Sequence, residues 1–224
     1  MEPLDLTHAE LRVLGSLVEK ELTTPDQYPL TLNALVLSCN QKSSREPVVN
    51  LSEETVQSAV TGAKTKSLVR FVHPSHGRSV LRYAHTLSDA LDVSGRQLAL
   101  LAVMMLRGPQ TLNELRVRTN RMAEFSDLDD LERELGRLSE RETPLVERQA
   151  RRTGQKEDRY AHLLGSDRDV LSGTESDTYR RPETRQPHIS QPETSDLAEQ
   201  IVELRQELTE LRQELTELRQ QLGD

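Results

Sequence analysis

The chain has 224 residues, of which 34% are hydrophobic, 29% are charged and only 3% are aromatic. Its single cysteine, Cys39, excludes an internal disulfide and gives no support to secretion. No apolar run approaches the roughly 18 residues that a membrane-spanning helix needs, and the N-terminus lacks the pattern of a signal peptide. The sequence therefore predicts a soluble cytoplasmic protein without membrane contact, in which Cys39 is a buried thiol.

The net charge of −8 is unevenly distributed. Residues 1–165 carry 22 basic and 23 acidic side chains, whereas residues 166–224 carry 7 basic and 14 acidic ones. The acidity thus belongs to the C-terminal segment, and the near-neutral front of the chain stays compatible with a nucleic-acid partner.

The first 85 residues predict three helices followed by two strands. A capping box of Thr7 and Glu10 starts the first helix, and the phrase TLNALVLSCN, from Thr31, forms the second. The third helix extends from Ser52 to about Ser67, since apolar residues recur at helical spacing. The strands are LVRFVH (68–73) and SVLRYAH (79–85).

The same order recurs about eighty residues later. Ser94 and Gln97 form the first capping box, and the phrase TLNELRVRTN, from Thr111, repeats the second helix with its own box of Thr111 and Glu114. A third helix spans residues 126 to about 141, and the strands are LVERQA (145–150) and RYAH (159–162). Both halves close on Arg-Tyr-Ala-His, so the sequence predicts an internal duplication.

Three helices and a β-hairpin in about 80 residues are typical of the winged helix-turn-helix. The predicted fold is mainly α with small β-hairpin wings (α+β). It comprises winged-helix domains at 5–88 and 93–165, a disordered linker at 166–195 and a C-terminal coiled-coil helix at 196–222.

Two long motifs carry a resemblance to a known family. They are TTPDQYPLTLNALVLSCNQKSSREPVVNLS (23–52) and LRGPQTLNELRVRTNRMAEFSDL (106–128). Both stand in the order and at the spacing found in the YceH-like bacterial proteins, a family of unknown function, and the likeness covers essentially residues 5–165. The resemblance implies tandem winged-helix domains and implies no mechanism.

The C-terminal segment changes character at Asp196. Residues 166–195 are rich in Ser, Thr and Pro and poor in large apolar side chains, which is typical of a disordered linker. Beyond them, apolar residues alternate steps of four and three, which indicates a coiled coil through Leu197, Ile201, Leu204, Leu208, Leu211, Leu215, Leu218 and Leu222.

Charges flanking these heptads favour a parallel homo-oligomer. Leu208 and Leu215 are taken as position a. In a parallel pair, Glu207 of one helix then faces Arg212 in the next heptad of the partner helix, and Glu214 faces Arg219. An antiparallel pair would set like charges opposite each other. We expect a parallel dimer, with a trimer as the alternative because no buried polar residue fixes the number of strands.

No pattern in the chain predicts catalysis. The sequence lacks a phosphate loop, a Rossmann glycine motif and zinc-type cysteine pairs. His73, His76 and His85 lack a carboxylate or thiol at useful spacing and are interpreted as surface histidines, and the aspartates at 127–130 as partners of a helix dipole. We therefore expect a protein that is not an enzyme and has no metal or cofactor.

Polar and basic residues of the third helix, the hairpins and the long loop 40–50 predict contacts with duplex DNA. The third helix of the second half is a poor DNA reader, since it carries six acids against three arginines. Loop 40–50 is either a binding element or a structural connection. The candidate residues are Lys42, Arg45, Gln57, Thr61, Lys64, Arg70, Arg78, Arg82, Arg151 and Arg152.

Two functions from different classes remain open. The first is a transcriptional regulator that binds duplex DNA and gains apparent affinity from its coiled coil. The second is an interaction scaffold whose winged helices bind protein partners, which the acidic third helix of the second half favours.

Overall fold

The computed structural model describes residues 4–73, 80–151 and 156–165, all within one compact unit, Met1–Thr174. This part of the chain has a mixed α+β fold with small antiparallel sheets. A short 3-10 turn, Pro25–Gln27, follows the first helix. The elements are α1 (His8–Thr23), β1 (Leu30–Thr31), α2 (Leu32–Cys39), α3 (Glu53–Thr65), β2 (Val69–Val72), β3 (Arg82–His85), α4 (Leu87–Leu91), α5 (Gly95–Arg107), α6 (Leu112–Thr119), α7 (Leu128–Ser139), β4 (Val146–Gln149) and β5 (Arg159–His162).

All three predicted capping boxes are confirmed, at the starts of α1, α5 and α6. At α1, the Thr7 hydroxyl accepts the Glu10 backbone N–H at 3.2 Å, and the Glu10 carboxylate accepts the Thr7 N–H at 2.8 Å. These bonds satisfy backbone donors that have no partner within the helix. Local chemistry thus fixes where these helices begin in both halves.

Helices α1 and α5 lie at the centre of the described fold. Every residue from Glu10 to Val18 is buried, and so is every residue from Leu98 to Leu106. The reason is that α1 packs on α5 along one side and on α2 and α3 along the others. A helix enclosed on all sides buries its polar positions as well as its apolar ones.

Gly15 allows the close approach of α1 and α5. A Cβ atom at this position would lie 2.9 Å from Leu106 Cγ and 3.2 Å from Met105 Cβ. Gly136, within α7, is a natural contrast, because a Cβ there meets no atom within 4 Å. The two glycines occupy similar helical backbones and differ in what surrounds them.

Gly15→Ala is expected to lower the free energy of unfolding by about 1–3 kcal/mol, because the added methyl group overpacks the helix contact. Gly136→Ala, the matched control, should raise it by about 0.5–1 kcal/mol, since alanine is the better helix former. Urea denaturation of both variants measures the two changes in the free energy of unfolding, which should have opposite signs. Two variants of equal stability would contradict the close packing of α1 on α5.

Two hairpins form from the predicted strands, of which β5 has the predicted bounds and β2, β3 and β4 are shorter. In the first half the strand order is β1-β3-β2, with Leu30 opposite Tyr83 and Val69 opposite His85. In the second half β4 pairs with β5, and Gln110 forms an isolated bridge with Tyr160 in the place that β1 takes in the first half.

The repeated Arg-Tyr-Ala-His segment makes the same contacts in both halves. The arginine donates to a proline carbonyl ahead of the second helix, from Arg82 to Pro29 and from Arg159 to Pro109, each at 2.8 Å. The histidine Nδ1 accepts the N–H two residues later, at 3.2 Å for His85 and 3.3 Å for His162. The repeat in the sequence is therefore also a repeat of specific side-chain contacts.

The predicted linker 166–195 and coiled-coil helix 196–222, with all their heptad positions, lie outside the described residues. Within the ranges that the structure describes, no helix is long and apolar enough to cross a membrane.

Candidate functional site

The outer face of α3 is polar and exposed, as the sequence suggested. Val56, Ala59, Val60 and Ala63 turn to the core, which leaves the opposite side of the helix to solvent. The exposed residues there are Gln57, Ser58, Thr61, Lys64 and Thr65. One amide, three hydroxyl groups and one ammonium group thus share a helix face, which is chemistry suited to base edges and phosphates.

Lys64 links this face to the first hairpin. Its Nζ lies 3.8 Å from the centre of the Phe71 ring, and Phe71 meets Tyr83 edge-to-face at 5.2 Å between ring centres. This cation–π contact orients the lysine beside β2 and β3, where Arg70 and Arg82 are exposed. The end of α3 therefore carries one exposed cation against the hairpin, and Arg70 and Arg82 lie on the other face of the strands. Glu53 and Glu54 set negative charge at the other end of α3.

Arg45 does not lie on the surface, and its assignment as a DNA contact is corrected. Its side chain is fully enclosed, and its guanidinium lies 2.5 Å from the Glu19 carboxylate. It also donates to the Ser38 carbonyl at 3.1 Å and to the Gln41 side chain at 3.1 Å. With its donors directed inward, Arg45 cannot contact an external phosphate, whereas Lys42 on the same loop is exposed.

Loop 40–50 is attached to the rest of the fold at both ends and at its middle. The Asn40 side chain exchanges two hydrogen bonds of 2.8 Å with the Leu51 backbone. Farther along, the Glu46 N–H donates to the Leu106 carbonyl at 2.9 Å, and Arg12 donates to the Pro47 carbonyl at 2.7 Å. These contacts favour the structural alternative, in which the loop connects α1, α2 and the end of α5.

The second half presents a different surface. On α7 the exposed side chains include Asp129, Glu132 and Glu140, and its arginines pair within the helix. Arg133 lies 3.4 Å from Asp130, and Arg137 lies 2.8 Å from Glu134. The exposed face of α7 is therefore mainly acidic. Arg151 is exposed at the end of β4, while Arg78 and Arg152 lie outside the described residues.

Sequence reasoning missed the outer face of α6. Asn113, Arg116, Val117, Asn120 and Arg121 are all exposed there. Their spacing of three and four residues places them along one side of the helix and the turn that follows. The repeated phrase shows the helical spacing of these residues, but it does not show which face of the helix stays exposed.

An open groove of about 450 Å³ lies beside α6, between α7 and the second hairpin. Its charges are largely paired: Arg148 lies 2.8 Å from Asp158, and the Tyr160 hydroxyl donates to Glu132 at 3.1 Å. The hydrogen bond that Asp158 accepts from the Arg151 backbone N–H, followed by its contact with Arg148, holds the pKa of Asp158 below its usual range. The groove is a polar channel at the surface.

The histidines were interpreted as surface residues, and for His85 this is wrong. His85 is 6% exposed, and its Nε2 lies 2.6 Å from a Glu21 carboxylate oxygen. Since Nδ1 accepts a backbone N–H, the ring proton sits on Nε2, and burial lowers the pKa of His85 against the attraction of Glu21. His73 is exposed, and His76 lies outside the described residues.

Among the described residues, no group of three or more His, Cys, Asp and Glu side chains could hold a metal ion. Cys39 is buried and free, as expected, and burial raises the pKa of its thiol. A buried thiol with a raised pKa does not indicate a reactive centre.

Comparison with known proteins places this fold in a family. A family model described as "Protein of unknown function, DUF480" matches residues 6–155. A UPF0502 protein of Geobacter sulfurreducens is 50% identical over 165 residues, which are 74% of this chain and 74% of that protein. UPF0502 proteins of Pseudomonas aeruginosa and Opitutus terrae are 47% identical over 171 and 173 residues, covering 76% of this chain and 75% of each relative. The resemblance drawn from the two long motifs is thereby confirmed.

Proposed function

The chain belongs to the DUF480 family of unknown function, and we propose that it is a non-enzymatic DNA-binding protein that acts in transcriptional regulation. In this proposal residues 5–88 and 93–165 are two winged-helix domains. The order of three helices and a hairpin in each half supports that assignment.

The observation that carries the proposal is the surface formed by α3 and the first hairpin. An exposed amide and exposed hydroxyl groups lie on the helix, and Lys64 contacts the hairpin through Phe71. Arg70 and Arg82 are exposed on the other face of β2 and β3. A winged helix uses such a surface with the helix in the major groove and the hairpin against the backbone. Lys42, exposed on the neighbouring loop, adds a further cation.

Lys64→Ala/Arg70→Ala is expected to weaken binding of duplex DNA at least about tenfold at low salt, because two phosphate contacts are lost. Gln57→Ala/Thr61→Ala should instead reduce discrimination between duplex sequences, since these side chains would face bases. Fluorescence anisotropy with the full chain and a labelled duplex measures both effects. A Lys64/Arg70 variant that binds like the wild type would refute this assignment.

Self-association through residues 196–222 is the second part of the proposal. Leu208→Lys/Leu215→Lys sets charges at the apolar a positions of the heptads and is expected to give a monomer. Gln206→Lys/Gln213→Lys adds the same charges at outer f positions and should leave the oligomer intact. Sedimentation equilibrium measures the oligomeric state of the wild type and of both variants. A monomeric wild type would contradict the coiled coil.

A protein-binding scaffold is the alternative, and one observation favours it. Leu37 on α2 and Val117 on α6 occupy equivalent positions of the repeated phrase and are 65% and 69% exposed. Exposed apolar side chains at matched sites suit protein contacts. In that case Leu37→Ser/Val117→Ser would abolish partner capture, while Lys64→Ala/Arg70→Ala would leave it unchanged.

A further inference from the structure

The second half carries its basic surface on α6 and the turn after it. Leu115 and Thr119 hold the helix on the core, and the exposed side is formed by Asn113, Arg116, Val117, Asn120 and Arg121. We name these five residues the α6 stripe. It carries two positive charges and no acid, so its electrostatic character is opposite to that of α7.

The acidic side chain within α6, Glu114, is compensated by other partners. Glu114 accepts the Thr111 N–H and lies 2.9 Å from Arg159 and 3.7 Å from Arg118. Backbone donation and these two arginines lower the pKa of Glu114 despite its partial burial, so the carboxylate stays ionised and internally neutralised. The negative charge of Glu114 therefore offsets little of the positive charge of the α6 stripe.

The duplication supplies an internal comparison. In α2 the positions equivalent to Arg116, Val117 and Arg121 are Val36, Leu37 and Gln41. Loop 40–50 also packs back on α2, since Arg45 donates to the Ser38 carbonyl. The second half lacks so long a loop, and its α6 surface is open to solvent, with Arg116 in place of an apolar residue and Arg121 in place of a neutral one. The shared fold does not require these arginines.

The side chains of the α6 stripe match the chemistry of a DNA duplex. Arginine binds phosphates and the acceptor pair of guanine, asparagine binds the donor and acceptor of adenine, and a small apolar side chain fits the thymine methyl group. Lys156 and Arg151 of the second hairpin are exposed at the groove beside Asn113. Duplex DNA thus fits the stripe better than it fits α7.

From this placement we infer that the α6 stripe is a second contact surface for duplex DNA, with Arg116 and Arg121 on phosphates. The inference rests on the proposed function and adds to it a surface on the second half. There the second helix, rather than the third, faces the nucleic acid.

The test compares two pairs of exposed arginines in the full chain. Arg116→Ala/Arg121→Ala is expected to weaken binding of a 25-bp duplex about tenfold at low salt and to reduce the log–log salt slope by about 1.8, since each lost phosphate contact removes about 0.9. Arg133→Ala/Arg137→Ala, the control on α7, removes the same total charge and should bind like the wild type. Arg116→Ala/Arg121→Ala should keep the wild-type stability, because both side chains are exposed. Arg137 lies 2.8 Å from the buried Glu134 carboxylate, so circular dichroism must show that the control variant is folded before its affinity is compared.

Glu157→Gln gives a test by gain of affinity. Its carboxylate lies 3.4 Å from the Asn113 amide and bears negative charge at the end of the stripe. Its neutralisation should tighten duplex binding about two- to threefold at low salt. A variant that binds no tighter than the wild type would count against a duplex at this end of α6.

The outcomes separate the inference from the proposal on which it rests. If the wild type does not bind duplex DNA, the proposed function fails. If Lys64→Ala/Arg70→Ala weakens binding while Arg116→Ala/Arg121→Ala does not, the α6 inference alone is overturned. Equal losses in the α6 and α7 variants would also overturn it, because they would reflect total charge and not a surface.

Discussion

Arg45→Met is expected to lower the free energy of unfolding by about 3–5 kcal/mol, which is the usual cost of removing one partner of a buried ion pair. The Glu19 carboxylate, 14% exposed, would lose the guanidinium that lies 2.5 Å away, and the Ser38 carbonyl would lose its donor. Domains of this kind have a total stability of about 5–15 kcal/mol. The variant should therefore lose a large share of its stability and unfold at a clearly lower temperature than the wild type.

Lys42→Met on the same loop is the matched control. Its side chain is exposed, so the free energy of unfolding should change by less than about 0.5 kcal/mol. If Arg45→Met folds too poorly to measure, Glu19→Gln/Arg45→Met should still be folded and more stable than Arg45→Met, because no charge remains buried. Chemical denaturation followed by circular dichroism gives these values. Equal stability of Arg45→Met and Lys42→Met would contradict the buried pair.

Acid is expected to destabilise the fold through its two Arg-Tyr-Ala-His histidines. Burial, with repulsion from His8 as a smaller cause, lowers the pKa of His162 to about 4. Because the unfolded chain has a pKa of about 6.5 at this residue, it binds the proton first as the pH falls. Above about pH 6.5 the ring is neutral in both states and the folded protein has its full stability. Between pH 6.5 and pH 4 the free energy of unfolding falls progressively, on the order of 2–3 kcal/mol in all. The lowered pKa of His85 acts with the same sign.

His162→Asn isolates this contribution. An asparagine Oδ1 can accept the Leu164 N–H that the ring Nδ1 accepts at 3.3 Å, and it does not titrate. The variant should resemble the wild type at pH 8 and lose less stability between pH 6.5 and 4. Urea denaturation at several pH values measures the difference, and parallel pH profiles would show that His162 does not titrate with folding.

Much of the fold is determined by interactions between residues close in sequence and could be predicted. Capping pairs such as Thr7 with Glu10 act over three residues, and the apolar spacing of α3 and α7 shows which side is buried. The strand pairs followed from two Arg-Tyr-Ala-His segments and the turns before them. These features depend little on what the rest of the chain does.

The environment of individual polar residues could not be predicted in the same way. Arg45 and His85 are polar residues in a loop and at a strand end, where exposure is the usual state. Their burial depends on partners far away in sequence, Glu19 and Glu21, and on the docking of loop 40–50 against Leu106. The α6 stripe was missed for a related reason, since which face of an eight-residue helix stays open depends on the packing of its neighbours.

The most direct test of DNA binding is a salt titration of the full wild-type chain against a labelled duplex, followed by fluorescence anisotropy. We expect an affinity that falls with a log–log slope of at least about 4, corresponding to Lys42, Lys64, Arg70 and the α6 arginines on phosphates at about 0.9 each. The absence of binding at low salt, where even sequence-independent contacts should form, would contradict the account and leave a protein-binding scaffold in its place.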